Sequence, residues 1–289
     1  MTLRVNTSQA TDPQCPLGPS PSIWCTCPVS ELLVPTSNIG WLKREDWSNG
    51  DFATMTTVTP YRGYNCILDA GSAIIPLQSA VRGTPATNGI LAQLSMTLDA
   101  GHDDTVGLQH WGPFVTSGSP LLVMKQHGTP MWYETIFRTE TVVTGTNGLL
   151  IGLKDETVLA EGAIADGGAG IVSNDFVGFV VWADDGDSVD AIYQTSAGTP
   201  QTAKADCATI TATTDATSLA LSGWHRYGIT FDGIRTATYY VDGVVVATAD
   251  ILASGFPDGE EMSPVWVAKD NLGEAQVKAI GWWQAAQLY

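Results

Sequence analysis

Basic side chains are scarce in this sequence. Lys and Arg number 13 against 30 Asp and Glu, a net charge of −17 over 289 residues. A surface this acidic repels phosphate backbones at long range, which disfavours nucleic acid as a partner. The deficit is uneven: residues 1–50 hold three basic and four acidic side chains, and residues 51–289 hold ten against 26. Long apolar runs are also missing. No stretch approaches the roughly 18 apolar residues that mark a membrane span. The opening "MTLRVNTSQATDPQ" lacks the apolar core of a secretion signal, so neither export nor a membrane partner is expected. The five cysteines are an odd number, and without export reduced thiols are the expectation. Cys15, Cys25 and Cys27 form C-x9-C-x-C, which lacks the paired C-x2-C knuckles and nearby His of a zinc ribbon. Cys66 and Cys207 read as small buried apolar residues.

What is present favours strands. Gly, Thr, Val and Trp are abundant, while the Lys, Arg and Glu that coat helices are sparse. A chain of this length can be one large β domain, burying about 75% of its unfolded surface without disulfides. Its first fifty residues stand apart. Pro13, Pro16, Pro19, Pro21, Pro28 and Pro35 are too dense for helix or sheet interior. We read residues 1–50 as an extended, proline-stiffened arm and residues 51–289 as the folded domain. The arm carries Trp24, Leu32, Leu33 and Trp41, so it needs a surface to lie on. That surface is either a partner or the chain's own sandwich, completed by the arm as an edge strand.

From residue 51 onward, strand patterns dominate. In "WYETIFRTETVV" (132–143), Tyr133, Thr135 and Phe137 point one way while Glu134, Arg138 and Glu140 point the other. "LLIGLK" (149–154) and "FVGFVVW" (176–182) are near-continuous apolar runs, as in strands buried on both faces. "WHRYGITF" (224–231) aligns His225, Tyr227, Ile229 and Phe231, and "SPVWVAK" (263–269) and "AQVKAIGWW" (275–283) follow. Less regular strands are expected near 64–69, 90–98, 105–115 and 121–126, with a turn or two of helix in 154–164. In "TYYVDGVVVA" (238–247), Asp242-Gly243 between apolar runs predicts a two-residue type I′ hairpin. Many short strands joined by Gly/Asp turns, without βαβ alternation, predict an all-β, two-sheet antiparallel sandwich.

"GWHRYGITFDG" followed by "ATYYVDGVVVAT" resembles the concanavalin A-like, laminin-G-type jelly roll. "PMWYETIFRTE", "GLLIGLKDE", "NDFVGFVVWADDGD" and the late "GWWQ" are similar to jelly-roll virion structural proteins of tailed bacteriophages, among them head decoration (cement) proteins. The resemblance covers roughly residues 50–289. It implies a non-enzymatic virion protein on the capsid exterior, made in the host cytoplasm and needing no cofactor. Its partners would be the major capsid protein and further copies of itself, with a trimer expected. On this reading the arm, through Trp24, Leu32, Leu33 and Trp41, lies along the capsid lattice. The alternative on the same fold is a carbohydrate-binding module, and a third reading is a glycoside hydrolase.

The hydrolase reading meets a geometric obstacle. Glycosidases on this fold carry carboxylates in E-x-D-x-E or E-x-D-x-x-E, but here Ile136 and Arg138 occupy the intervening positions. Glu134 and Glu140 are six residues apart, about 20 Å along a strand. Retaining and inverting enzymes need about 5–5.5 Å or 6.5–9.5 Å. No catalytic residue is therefore assigned. "WADDGDSVD" offers Asp184, Asp185 and Asp187 as weak calcium ligands, against the simpler reading of a solvated turn. Among ten tryptophans, Trp111 is the one expected to stack on a sugar; Trp132, Trp182, Trp224, Trp266, Trp282 and Trp283 lie in strand patterns that should be largely core. His102, His110, His127 and His225 show no metal-ligand spacing.

Overall fold

A computed structural model describes residues 19–33, 39–47, 54–56, 63–69, 71–78, 92–101, 104–110, 122–139, 148–155, 164, 171, 174–182, 186–196, 198–210, 223–270, 273 and 275–289. Two short helical turns come first, α1 (Pro21–Trp24) and α2 (Val29–Leu32). Strands β1 (Gly40–Glu45), β2 (Tyr64–Leu68), β3 (Ala73–Gln78), β4 (Ala92–Leu98), β5 (Thr105–His110) and β6 (Leu122–Val123) follow. The middle of the chain forms β7 (Met131–Thr139), β8 (Gly148–Asp155), β9 (Phe176–Val181), β10 (Ser188–Gln194) and β11 (Gln201–Thr209). The last are β12 (His225–Phe231), β13 (Thr236–Val241), β14 (Val244–Asp250), β15 (Glu261–Lys269) and β16 (Gln276–Leu288). The expected strands at 149–154, 176–182, 224–231, 263–269 and 275–283 fall on β8, β9, β12, β15 and β16. The helical turn expected at 154–164 lies mostly outside the described residues.

The strands make two eight-stranded antiparallel sheets. Sheet A runs β14-β13-β12-β7-β16-β4-β3 with β1 also on β16; sheet B runs β11-β10-β9-β8-β15-β5-β2 with β6 also on β15. The alternation along β7 sends Tyr133 and Phe137 into the main core, where Tyr227, Ile229, Phe231 and Tyr239 of sheet A meet Ile151, Phe179 and Trp266 of sheet B. Buried polar tips in this core are paired across the gap. Trp266 Nε1 donates to Thr135 Oγ1 at 3.1 Å, Trp283 Nε1 to the Tyr64 hydroxyl at 2.9 Å, and the Tyr239 hydroxyl to the Ile192 carbonyl at 3.1 Å. Each bond contributes about 0.5–1.5 kcal/mol net, and each fixes how the sheets are aligned.

Strand β16 organises sheet A. It pairs β7 from Lys278 to Gln287, while its other edge pairs first β4 and then β1. A register shift between Ile280 and Trp282 changes the phase, so that Trp283 reaches the core and Trp282 the outer face. The outer faces of both sheets are covered. Ile164 and Ile171 bridge to each other and pack over Leu150, Val180, Ile192, Val265 and Val267 of sheet B. The segment 20–32 does the same for sheet A.

The Asp242-Gly243 hairpin has the expected turn, with φ of 50° at Asp242 and 78° at Gly243. A β-branched side chain at such a φ is strained by about 1–3 kcal/mol. Gly243→Val should therefore lower the urea-unfolding free energy by at least that amount. An unchanged midpoint would show that the turn does not set the β13–β14 register.

Strand β1 is held by an unusual pair. His110 is fully buried at the end of β5, edge-on to both Tyr64 and Trp283, each 5.0 Å away between ring centroids. Lys43 Nζ contacts His110 Nε2 and sits 5.6 Å from the Trp283 ring centroid. Burial, with the Lys43 charge, pushes the His110 pKa from 6.5 to about 3, so the imidazole is neutral and accepts from the ammonium. The folded histidine then stays unprotonated where the unfolded one takes up a proton. Stability is lost as pH falls from about 6.5 toward 3. His110→Gln, measured by urea unfolding between about pH 6.5 and 4, should lose less stability than the wild type over that interval. Parallel pH profiles would show that His110 is not the titrating group.

Candidate functional site

The outward-facing residues of β7 are Trp132, Glu134, Ile136 and Arg138, a row that alternation alone would leave in water. All four are buried. Glu134 is fully enclosed, and it is the only carboxylate on the central strands β12, β7 and β16. Its immediate neighbours across the sheet are Gly228 on β12 and Gln284 on β16, with Tyr240 beyond Gly228 on β13.

Every printed donor to this carboxylate comes from the arm. The Ser20 amide donates at 3.0 and 3.2 Å to its two oxygens, the Ser20 hydroxyl at 2.5 Å to Oε1, and Trp24 Nε1 at 2.7 Å to Oε2. Burial pushes the Glu134 pKa up, while the Ser20 and Trp24 bonds and the nearby Arg226 charge pull it down; the net shift is upward. A carboxylate that is desolvated and fully satisfied has no lone pair left for a substrate proton.

The floor under the arm is shaped by missing side chains. A Cβ on Gly228 would lie 2.4 Å from Ile23 Cδ1, so the glycine leaves a groove between Tyr240 and Glu134 that Ile23 fills. At the hairpin tip, a Cβ on Gly243 would meet Ser22 Oγ at 3.1 Å and Ser20 Oγ at 3.2 Å, and the Ser22 hydroxyl donates to the Gly243 carbonyl. Asp242 braces this tip by accepting from the Arg226 amide at 2.8 Å and contacting His225 Nδ1 at 2.8 Å. Burial would raise the Asp242 carboxyl, but His225 and the Arg226 amide hold it below the usual range. Pro21 at the first position of α1 supplies a preset φ for the turn that carries Ile23 and Trp24. Trp132 Nε1 donates to Thr26 Oγ1 at 3.1 Å, and Ile23, Trp24, Cys27 and Leu32 form one apolar cluster with Trp132 and Ala286.

The residues expected in the arm are thus divided. Trp24 and Leu32 are buried on the chain's own sheet, which corrects their expected place on a partner: the nearest unoccupied apolar surface is intramolecular. Trp41 is half-buried against the main core, and Leu33, 50% exposed, remains at the surface. Residues 40–45, assigned by composition to the arm, form a strand of sheet A. Trp111, Glu140, Asp184 and Asp185 lie outside the described residues. Asp187 is exposed, and among the described residues no group of three or more His, Cys, Asp or Glu could hold a metal. Trp132, Trp266, Trp282 and Trp283 are buried, while Trp182 and Trp224 are half-buried. Cys25, Cys27, Cys66 and Cys207 are free thiols. Sequence reasoning missed Ser20, Ile23 and Gly228. The one available signal was a strand-interior glycine, which often marks a close backbone approach.

No protein-family model and no curated protein sequence matches the chain. Among solved structures, a protein of unknown function from Shewanella oneidensis MR-1 aligns over 94% of this chain and 95% of its own, with TM-score 0.54 and 11% identity. The fold is a concanavalin A-like jelly-roll sandwich. Other similar jelly rolls include the Emp46p carbohydrate recognition domain (TM-score 0.46, 11%–13% of residues identical across its forms, 77% of this chain and 87% of that one). An endo-β-1,4-glucuronan lyase from Trichoderma reesei aligns at TM-score 0.45 and 13% identity, over 83% of this chain and 91% of its own.

The Trp24–Glu134 bond is directly testable. Trp24→Phe and Glu134→Gln, alone and combined in a double-mutant cycle, should show a coupling of about 1–3 kcal/mol in urea unfolding. Strict additivity would mean that the indole and the carboxylate do not stabilise one another.

Proposed function

We propose that the protein is a non-catalytic carbohydrate-binding module. The observation that carries this reading is the chemistry of the sheet A outer face around Glu134. Trp132 and Tyr240 supply aromatic surface beside the acceptor oxygens of Glu134 and Gln284, and the Gly228 groove runs between them. Sugars present an apolar ring face and a rim of hydroxyl donors, which this combination complements. The same face lacks what hydrolysis needs. Glycosidases use two carboxyl groups, and the central strands carry one, already committed to Ser20 and Trp24.

A second reading is the virion decoration protein that assembles with copies of itself on a capsid. Its support lies in the exposed apolar side chains of the β14 edge: Val244 and Val245 at the hairpin, Ile234 and Leu252 at the opposite end. Exposed apolar groups on an edge strand favour protein partners.

Purified protein should bind on a glycan array and release no reducing sugar from the glycans that it binds. Turnover abolished by Glu134→Gln would overturn the non-catalytic reading. An empty array, together with decoration of purified capsids seen by electron microscopy, would favour the second.

A further inference from the structure

The arm satisfies Glu134 with the same kinds of group that a polyol would bring. A hydroxyl from Ser20, an N–H from its backbone and an N–H from Trp24 converge on the two carboxylate oxygens. Beside them, the Ile23 side chain fills the Gly228 groove and Trp24 covers the apolar floor formed with Trp132 and Ala286. We infer that the arm is a ligand mimic: it occupies in cis the seat of a hydroxyl-rich ligand with an apolar face, and ligand binding and arm release form one equilibrium. The inference rests on the carbohydrate-binding reading and adds where the ligand sits and what it must displace.

The arm is built to exchange. Its two helical turns span four residues each, too short to persist alone in water. Their conformation depends on the sheet beneath them. Release leaves a buried carboxylate without three of its donors, so the vacated face demands either water or a replacement with equivalent donors. A competing ligand is therefore favoured over an empty seat.

The chain carries its own reporters. Cys25 is exposed, Cys27 is buried in the arm cluster, and Cys66 is buried in the main core. Alkylation followed by mass spectrometry reads the three thiols separately in the full-length protein. Ser20→Pro removes the Ser20 amide and hydroxyl together, and the Ser20 φ of −70° already suits proline. This variant should label Cys27 about tenfold faster, a loss of about 1.4 kcal/mol of docking, with Cys66 still protected. On a glycan array it should bind the same ligand at least several-fold more tightly than the wild type. That ligand should in turn accelerate Cys27 labelling in the wild type. If Ser20→Pro also exposes Cys66, Trp24→Ala decides by the same three measurements.

Cys27 labelling that stays unchanged in both variants overturns the inference, because the arm is then not held by these bonds. Equal glycan affinity in wild type and variants, with Cys27 opened, also overturns it and leaves the carbohydrate reading intact at another site. No glycan bound by any form removes the carbohydrate reading and the inference together.

Discussion

A single carboxylate with no access to water dictates much of what surrounds it. Glu134 sits in the middle of sheet A, where an unpaired charge would cost several kcal/mol. Its donors come from more than a hundred residues away in sequence, at Ser20 and Trp24. The arm must therefore reach this point, the floor must be flat enough to receive it, and the hairpin tip must stop where Ser20 and Ser22 begin. Gly228 and Gly243 meet the second and third requirements. Burying Ile23, Trp24 and Leu32 contributes roughly 1.5–3 kcal/mol each toward the ordering cost of the arm.

The fold was legible because its signals are local. Alternation in β7 and β12, the continuous apolar runs of β8 and β9, and the Asp242-Gly243 turn each concern neighbours two or three residues apart. The position of the arm was not legible, for the opposite reason. In "WYETIFRTE" the outward Glu134 and Arg138 look like any solvated strand face, and nothing nearby records that another segment covers them. Composition also misled at Gly40–Glu45, where a stretch grouped with the proline-rich arm is a paired strand. Proline density marks what cannot be sheet interior, and it says nothing about the six residues that follow.

Sheet B repeats the design with different chemistry. Its outer face is apolar, and Ile164 and Ile171 cover it by packing alone. Sheet A instead has a polar centre beneath its cover, so its covering segment is bound by directional bonds to one group. Apolar covers slide with little penalty, whereas a bonded cover has one register. This difference separates a structural lining from a segment whose occupancy of the face is specific.

Strand β16 carries a consequence for how the molecule comes into being. It is the last strand in the sequence order, and it lies between β7 on one side and β4 and β1 on the other. Until the ribosome has released residues 276–288, sheet A exists as separate pieces with no strand to join them. Trp283, which closes the core against Tyr64 and Trp266, arrives in the same final segment. The nascent chain must therefore carry its apolar faces unsealed through nearly all of its synthesis. Its strong negative charge, a solubility device throughout that interval, keeps unfinished copies apart until the closing strand is in place.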